Sequence, residues 1–304
     1  MKKSFVIVSF LLVAAISINA QESEFPKLTG PYLGQTPPVN EPILFAPGIV
    51  SNGRNHSSVA ISPDGKEIYW AMVRDMRKIW FTKLESGSWT KPEMVSFCKG
   101  NSYSYDNPFI TPDGMRMFFT SFRPGAVSQE KETIWYAERD SSGWLNPKPI
   151  SSEVNETPLH WSISVSDSGT LYFQFQDASG KSSGGIGDIY YSKLVGGEYK
   201  KPVSIGSAIN TPATETCPYI APDESYIVFT RFDETNVKNT GILISYKDKL
   251  GNWLPAVMAE GGTKEKGGLS PRISPDGKYL FYVNGGMWWM PATFIDELKP
   301  NKFK

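Results

Sequence analysis

Apolar residues along this chain fall in short runs, and one polar phrase recurs between them. It reads Ile61-Ser62-Pro63-Asp64-Gly65 before Ile68-Tyr69-Trp70, Ile110-Thr111-Pro112-Asp113-Gly114 before Met117-Phe118-Phe119, and Ile273-Ser274-Pro275-Asp276-Gly277 before Leu280-Phe281-Tyr282. Two altered copies lie between them, Val165-Ser166-Asp167-Ser168-Gly169 and Ile220-Ala221-Pro222-Asp223-Glu224. Pro fixes φ and Gly accepts positive φ, so each phrase predicts a tight turn between two strands. The strand before it (a) is Ser58 to Ile61 in the first copy, and the strand after it (b) is Glu67 to Met72. A third, aromatic strand (c) follows at Ile79–Thr82, Ile134–Ala137, Ile189–Ser192 and Ile242–Ser245. The last strand (d) opens on an aromatic with Pro soon after, at Trp89, Trp144, Tyr199 and Trp253. Proline is tolerated at a sheet edge, which makes d the outer strand.

The turn positions Asp64, Asp113, Ser168, Asp223 and Asp276 are 49, 55, 55 and 53 residues apart. Four strands per period of that length predict an all-β chain, a five-bladed β-propeller of four-stranded antiparallel blades over residues 41–298. Residues 21–40 form an extended leader and 299–304 a tail. The fifth copy ends after its strand c, Met287-Trp288-Trp289-Met290, and lacks strand d. Phe45-Ala46-Pro47-Gly48-Ile49-Val50 matches Trp253-Leu254-Pro255-Ala256-Val257-Met258 position for position. An N-terminal strand is therefore expected to complete the last blade and close the ring.

The Ile-Ser-Pro-Asp-Gly-Lys phrase resembles the WD40-like repeat of TolB-type β-propellers, over essentially all of residues 41–298. The resemblance implies the fold. It says little about activity, because the phrase describes a turn and two strands rather than a site. It implies a periplasmic or secreted binding scaffold, with related blades beside peptidase domains and in some carbohydrate-active enzymes. The chain has no Gly-x-Ser-x-Gly elbow, which sets the peptidase branch aside.

Composition narrows this. Lys2 and Lys3, the apolar run Phe5–Ile16 and the small residues up to Ala20 read as a secretory signal peptide cleaved after Ala20. No cysteine follows the cleavage point, so a lipid anchor is not expected, and no second run approaches membrane length. The mature chain then carries 29 basic and 31 acidic residues, with no basic field for nucleic acid. Cys98 and Cys217 read as buried thiols, with a disulfide as the alternative that export permits. The aromatic residues, 13% of the chain, read as packing between blades. A monomer is expected.

Propeller geometry decides which residues converge. The recurring Asp is turn chemistry on one face, and the d-to-a connections and b-to-c loops open on the other. Eight positions before each turn stand His56, Tyr105, His160, Glu215 and Gly268, so both histidines fall in one column. Beside them lie Asp106 and Trp161, and the b-to-c loops add Arg74, Asp75, Arg123, Gln176, Asp177, Arg231, Asp233 and Asn284. These residues either satisfy the channel rim or bind a ligand there. We read His56, Asp106, Arg123, His160, Trp161, Glu215 and Arg231 as the ligand-binding set. Arg123 and Arg231 suit a carboxylate, sulfate or uronate, which makes an anionic glycan one ligand class. No catalytic residue is assigned. Asp106 and Glu215 are the candidate acid and base if the chain is instead a carbohydrate-active hydrolase or lyase. A cell-envelope interaction scaffold is the third reading. No cofactor is expected. His56, His160 and Glu215 are a competent metal set but come from three blades with no close pair, so no metal site is assigned.

Overall fold

The computed structural model describes residues 25–53, 56–73, 76–125, 132–156, 162–175, 187–259 and 268–300. The residue 1–20 segment read as a signal peptide lies outside them. Strands a to c of the first blade are His56–Ile61, Glu67–Val73 and Arg77–Glu85. Those of the second are Tyr105–Ile110, Arg116–Ser121 and Thr133–Asp140. The third has Ile163–Val165, Leu171–Phe175 and Asp188–Ser192. The fourth has Thr214–Ile220, Tyr226–Phe232 and Gly241–Tyr246, and the fifth Leu269–Ile273, Tyr279–Val283 and Met287–Pro291. Each strand a packs against the next, and that of blade five returns to that of blade one. Five four-stranded antiparallel blades thus form the ring that the repeat predicts.

Strand b shows why the apolar runs are nearly unbroken. Ile68, Trp70 and Met72 face the interface with blade five, while Tyr69 faces blade two. Phe118 and the flanking Met117 and Phe119 divide in the same way. Successive side chains point to opposite faces, and both faces of a blade are buried. Cys98 and Cys217 are buried free thiols, and burial pushes Cys98 up to about 12.

Strand d forms after the proline rather than on the aromatic. The segments are Glu93–Met94, Lys148–Pro149, Val203–Ser204 and Val257–Met258. The fifth blade takes its strand d from the N-terminus, in a register that differs from the sequence match. Ile43 and Leu44 pair with Trp289 and Trp288, six residues before the Ile49-Val50 that the match with Val257-Met258 indicates. Ala46 (φ +43°) and Gly48 (φ +79°) bend the chain into a turn, so Ile49-Val50 cannot extend the strand. Two side chains fix the register. The Gln35 amide donates to Leu44 O (2.8 Å) and accepts from Ala46 N (2.7 Å). The Ser51 hydroxyl accepts from Met287 N (2.9 Å) and donates to Met287 O (3.1 Å). The leader is also docked: Trp89 Nε1 donates to Gly30 O (2.7 Å), and the Tyr32 ring packs on Tyr279 and Trp289.

The turns behave as their sequence predicts where the phrase is complete. Ser62 Oγ donates to Asp64 Oδ1 (2.6 Å), and Gly65 takes φ +69°. The two altered copies compensate each other. Glu224 stands where glycine is usual and holds φ +59°, a strained conformation for a residue with a Cβ. Its carboxylate accepts from Ser166, Ser168, Tyr172 and Lys247 at 2.7 to 3.0 Å, tying blade four to the blade-three turn, in which Asp167 and Ser168 stand in place of Pro and Asp. Burial pulls this carboxyl up, but Lys247 and the two hydroxyls outweigh it and hold it down at about 2. A depressed carboxyl stabilises the fold above its unfolded value near 4.5, and that contribution is lost as pH falls toward 2. Glu224→Gln should therefore cost about 2 kcal/mol at pH 7 and flatten the stability profile between those pH values. Urea midpoints equal to wild type at pH 7 would remove Glu224 as the clamp.

Candidate functional site

The channel is built by strand a, and strand a is bulged. Register shifts occur between His56 and Val59, Asp106 and Phe109, Thr216 and Tyr219, and Leu269 and Arg272. A bulge inserts one residue and re-aims its neighbours. Six positions before the turn, Asn107, Ser162, Cys217 and Ser270 all take φ between +47° and +54°. Their side chains meet at the axis. Ser162 Oγ lies 3.3 Å from both Asn107 Oδ1 and Ser270 Oγ, and Ser270 Oγ lies 3.5 Å from Cys217 Sγ. Blades three and five are not neighbours, so the Ser162–Ser270 contact reaches across the channel and narrows it at this level. This polar girdle holds four residues in the left-handed region, at a cost on the order of 1 kcal/mol each.

On the turn side of the girdle lies a cavity of about 250 Å³. All five strands a line it, through Val59, Phe109, Val165, Ile220 and Ile273, and the prolines of four turns form its rim. Its one charged lining residue is Arg272, which is 4% exposed. Burial pulls the Arg272 pKa down to about 10, so it remains a cation at neutral pH. Nη1 donates to Pro271 O (2.9 Å) and Pro218 O (3.3 Å), and Nη2 donates to Ile163 O (3.0 Å). Nε has no partner.

At the opposite, loop-side mouth the expected residues are placed as follows. His160, Trp161, Arg74, Asp75, Gln176, Asp177 and the His56 side chain lie outside the described residues. Asp106 is buried; it accepts from Arg77 and from Asn107 N (2.8 Å). Glu215 has no exposed side-chain surface; it accepts from Arg231 Nε (2.7 Å), Thr211 N (2.9 Å) and Thr211 Oγ1 (2.6 Å). Burial raises the Glu215 pKa against those bonds. Arg231 also donates to Ile209 O (3.0 Å), and Arg123 lies over the Trp135 ring at 5.4 Å. Tyr105 packs between blades one and two and donates to Phe97 O (3.1 Å). The column eight before the turn thus sends Tyr105 and Glu215 into packed interior, and the column six before it reaches the axis. Among the described residues no three or more His, Cys, Asp or Glu side chains gather as a metal site.

Two residues escape the sequence pattern. Arg272 is the only charged residue in its column, beside Ala60, Phe109, Ser164 and Tyr219, and that oddity was a usable signal. Glu132 had none. Its carboxylate accepts from Thr120 Oγ1 (2.7 Å), and burial, reinforced by the charge of Asp106, pushes it up to about 7.

No protein-family model matches the chain, and no curated protein matches it. Several solved structures are similar in fold. A TolB from Acinetobacter baumannii is 15% identical over 78% of this chain, with a TM-score of 0.48. A putative TolB from Agrobacterium tumefaciens is 17% identical over 79% of this chain and 71% of its own, with a TM-score of 0.49. An endo-arabinanase from Bacillus licheniformis is 15% identical over 79% of this chain and 94% of its own, with a TM-score of 0.48. This chain spans about half, 54%, of the Acinetobacter protein. These likenesses concern the fold alone; the blade count rests on the strand pairing above.

Proposed function

We propose that this protein is an exported, non-catalytic binding propeller that takes a small ligand in its central channel, entered from the turn side. One observation carries the reading: a concave, mostly apolar cavity lined by strand a of every blade. Such cavities with one or two polar groups are the default form of a binding site. The carboxylates considered as acid and base support the non-catalytic part. Asp106 is tied to Arg77, and Glu215 to Arg231 and Thr211. Arg231 is committed in the same pair, which argues against the loop-side anionic-glycan version of this reading. Export rests on the residue 1–20 pattern, and no helix among the described residues is long and apolar enough to cross a membrane.

Ile61 lines the cavity and is only partly buried, so Ile61→Trp can fill the space without disturbing the core. Saturation-transfer NMR on a mixture of small apolar and amphipathic compounds should identify binders in wild type that weaken by about tenfold or more in Ile61→Trp. The protein, expressed with residues 1–20, should have a mass beginning at Gln21. If no compound distinguishes the two proteins, the channel reading fails. Glycoside turnover lost on Glu132→Gln would favour the hydrolase reading instead.

A further inference from the structure

The turn-side cavity is mostly apolar and has one charged lining residue, a cation with no counter-charge among the described residues. Arg272 makes no ion pair among the described residues; its hydrogen-bond partners are three backbone carbonyls on strands a of blades three, four and five, and its guanidinium lies 5.8 Å from the centre of the Phe109 ring. A guanidinium has five N–H donors. Three bonds to carbonyls leave two of them, Nε–H included. A buried charge is retained at low cost only when it is paired, and a carboxylate is the partner whose geometry a guanidinium matches best.

We infer that the channel takes an organic monocarboxylate, its anionic end on Arg272 and its apolar body against Val59, Phe109, Val165 and Ile220; this rests on the channel-binding reading above. The cavity of about 250 Å³ bounds the ligand. It equals about eight waters at ~30 Å³ each, room for a short branched or aromatic acid. An inorganic anion would leave the apolar walls uncovered. The outer end of the ligand is not a second anion, because each rim proline is followed by an aspartate, Asp64, Asp113, Asp223 or Asp276.

Arg272 also joins three blades, and a purely structural staple would lower stability when removed without conferring any preference among ligands. Calorimetric titration of the mature protein separates the two roles. The probes are 4-methylpentanoate and phenylacetate, their neutral amides, and phenylsuccinate as a dianion. In wild type the acids should bind at least tenfold tighter than the amides, and phenylsuccinate should bind more weakly than phenylacetate. Arg272→Lys should keep the preference for acids, and Arg272→Met should reduce it to within about twofold. If Arg272→Met does not fold, the wild-type comparison of acid with amide still decides. Amides binding as well as acids in wild type, with Ile61→Trp still blocking both, would overturn the carboxylate assignment and leave channel binding standing. Binding of neither class, with Ile61→Trp without effect on any compound, would overturn both.

Discussion

Phe45→Ala should lower the unfolding free energy by about 3–5 kcal/mol, the cost of deleting a buried aromatic side chain. Phe45 is fully buried, with its ring 5.0 Å from that of Phe281 and 5.3 Å from that of Trp289. It follows the two residues that complete the fifth blade, and its own N–H donates to Met287 O (2.7 Å). Truncation therefore leaves a cavity and loosens the strand that pairs the N-terminal segment with the last blade. Loss of that strand would leave Trp288 and Trp289 on an open sheet edge. The denaturant midpoint should fall sharply with little change in slope, since the unfolded surface is the same. A loss below about 1 kcal/mol would mean that the ring does not depend on this closure.

The second large effect concerns the Arg231–Glu215 pair. Arg231→Met should cost about 3–5 kcal/mol at neutral pH, because it leaves a buried carboxylate without its cation. The Glu215 side chain has no exposed surface, and that of Arg231 only 12%. Burial already raises the Glu215 pKa in the folded state. A raised carboxyl binds its proton more tightly when folded, so its contribution is fullest below the ordinary value near 4.5 and declines as pH rises. Removing Arg231 raises it further. The defect should therefore be small at pH 5 and grow toward pH 8. The double variant Arg231→Met/Glu215→Met should recover about 2 kcal/mol of the single-variant loss. A defect independent of pH, with no recovery in the double variant, would show that Arg231 acts through packing alone.

Most of the architecture was legible because local chemistry writes it. Pro-Asp-Gly specifies a turn whatever surrounds it, and five turns at a near-constant spacing set the blade count. The closing strand was legible as a need, since blade five lacked an edge. Its register was not, because it depends on Gln35 and Ser51, whose bonds join residues distant along the chain or across the ring. The candidate site was harder to read. Counting from the turn assumes an unbroken strand, and the bulges before Val59, Phe109, Tyr219 and Arg272 break that assumption. The count reached the right strand and a column that points between blades. Arg231 and Glu215 were read as separate ligand contacts, and only their spatial arrangement pairs them. Glu224 was legible as a departure from the turn pattern, but its four partners were not.

The girdle of Asn107, Ser162, Cys217 and Ser270 also links four blades at the axis. Those four side chains narrow the hole through the ring, where Ser162 and Ser270 touch across it. A shift of any one of these strained residues would be passed to strands a of the other three blades, which makes the girdle a place where the blades can communicate.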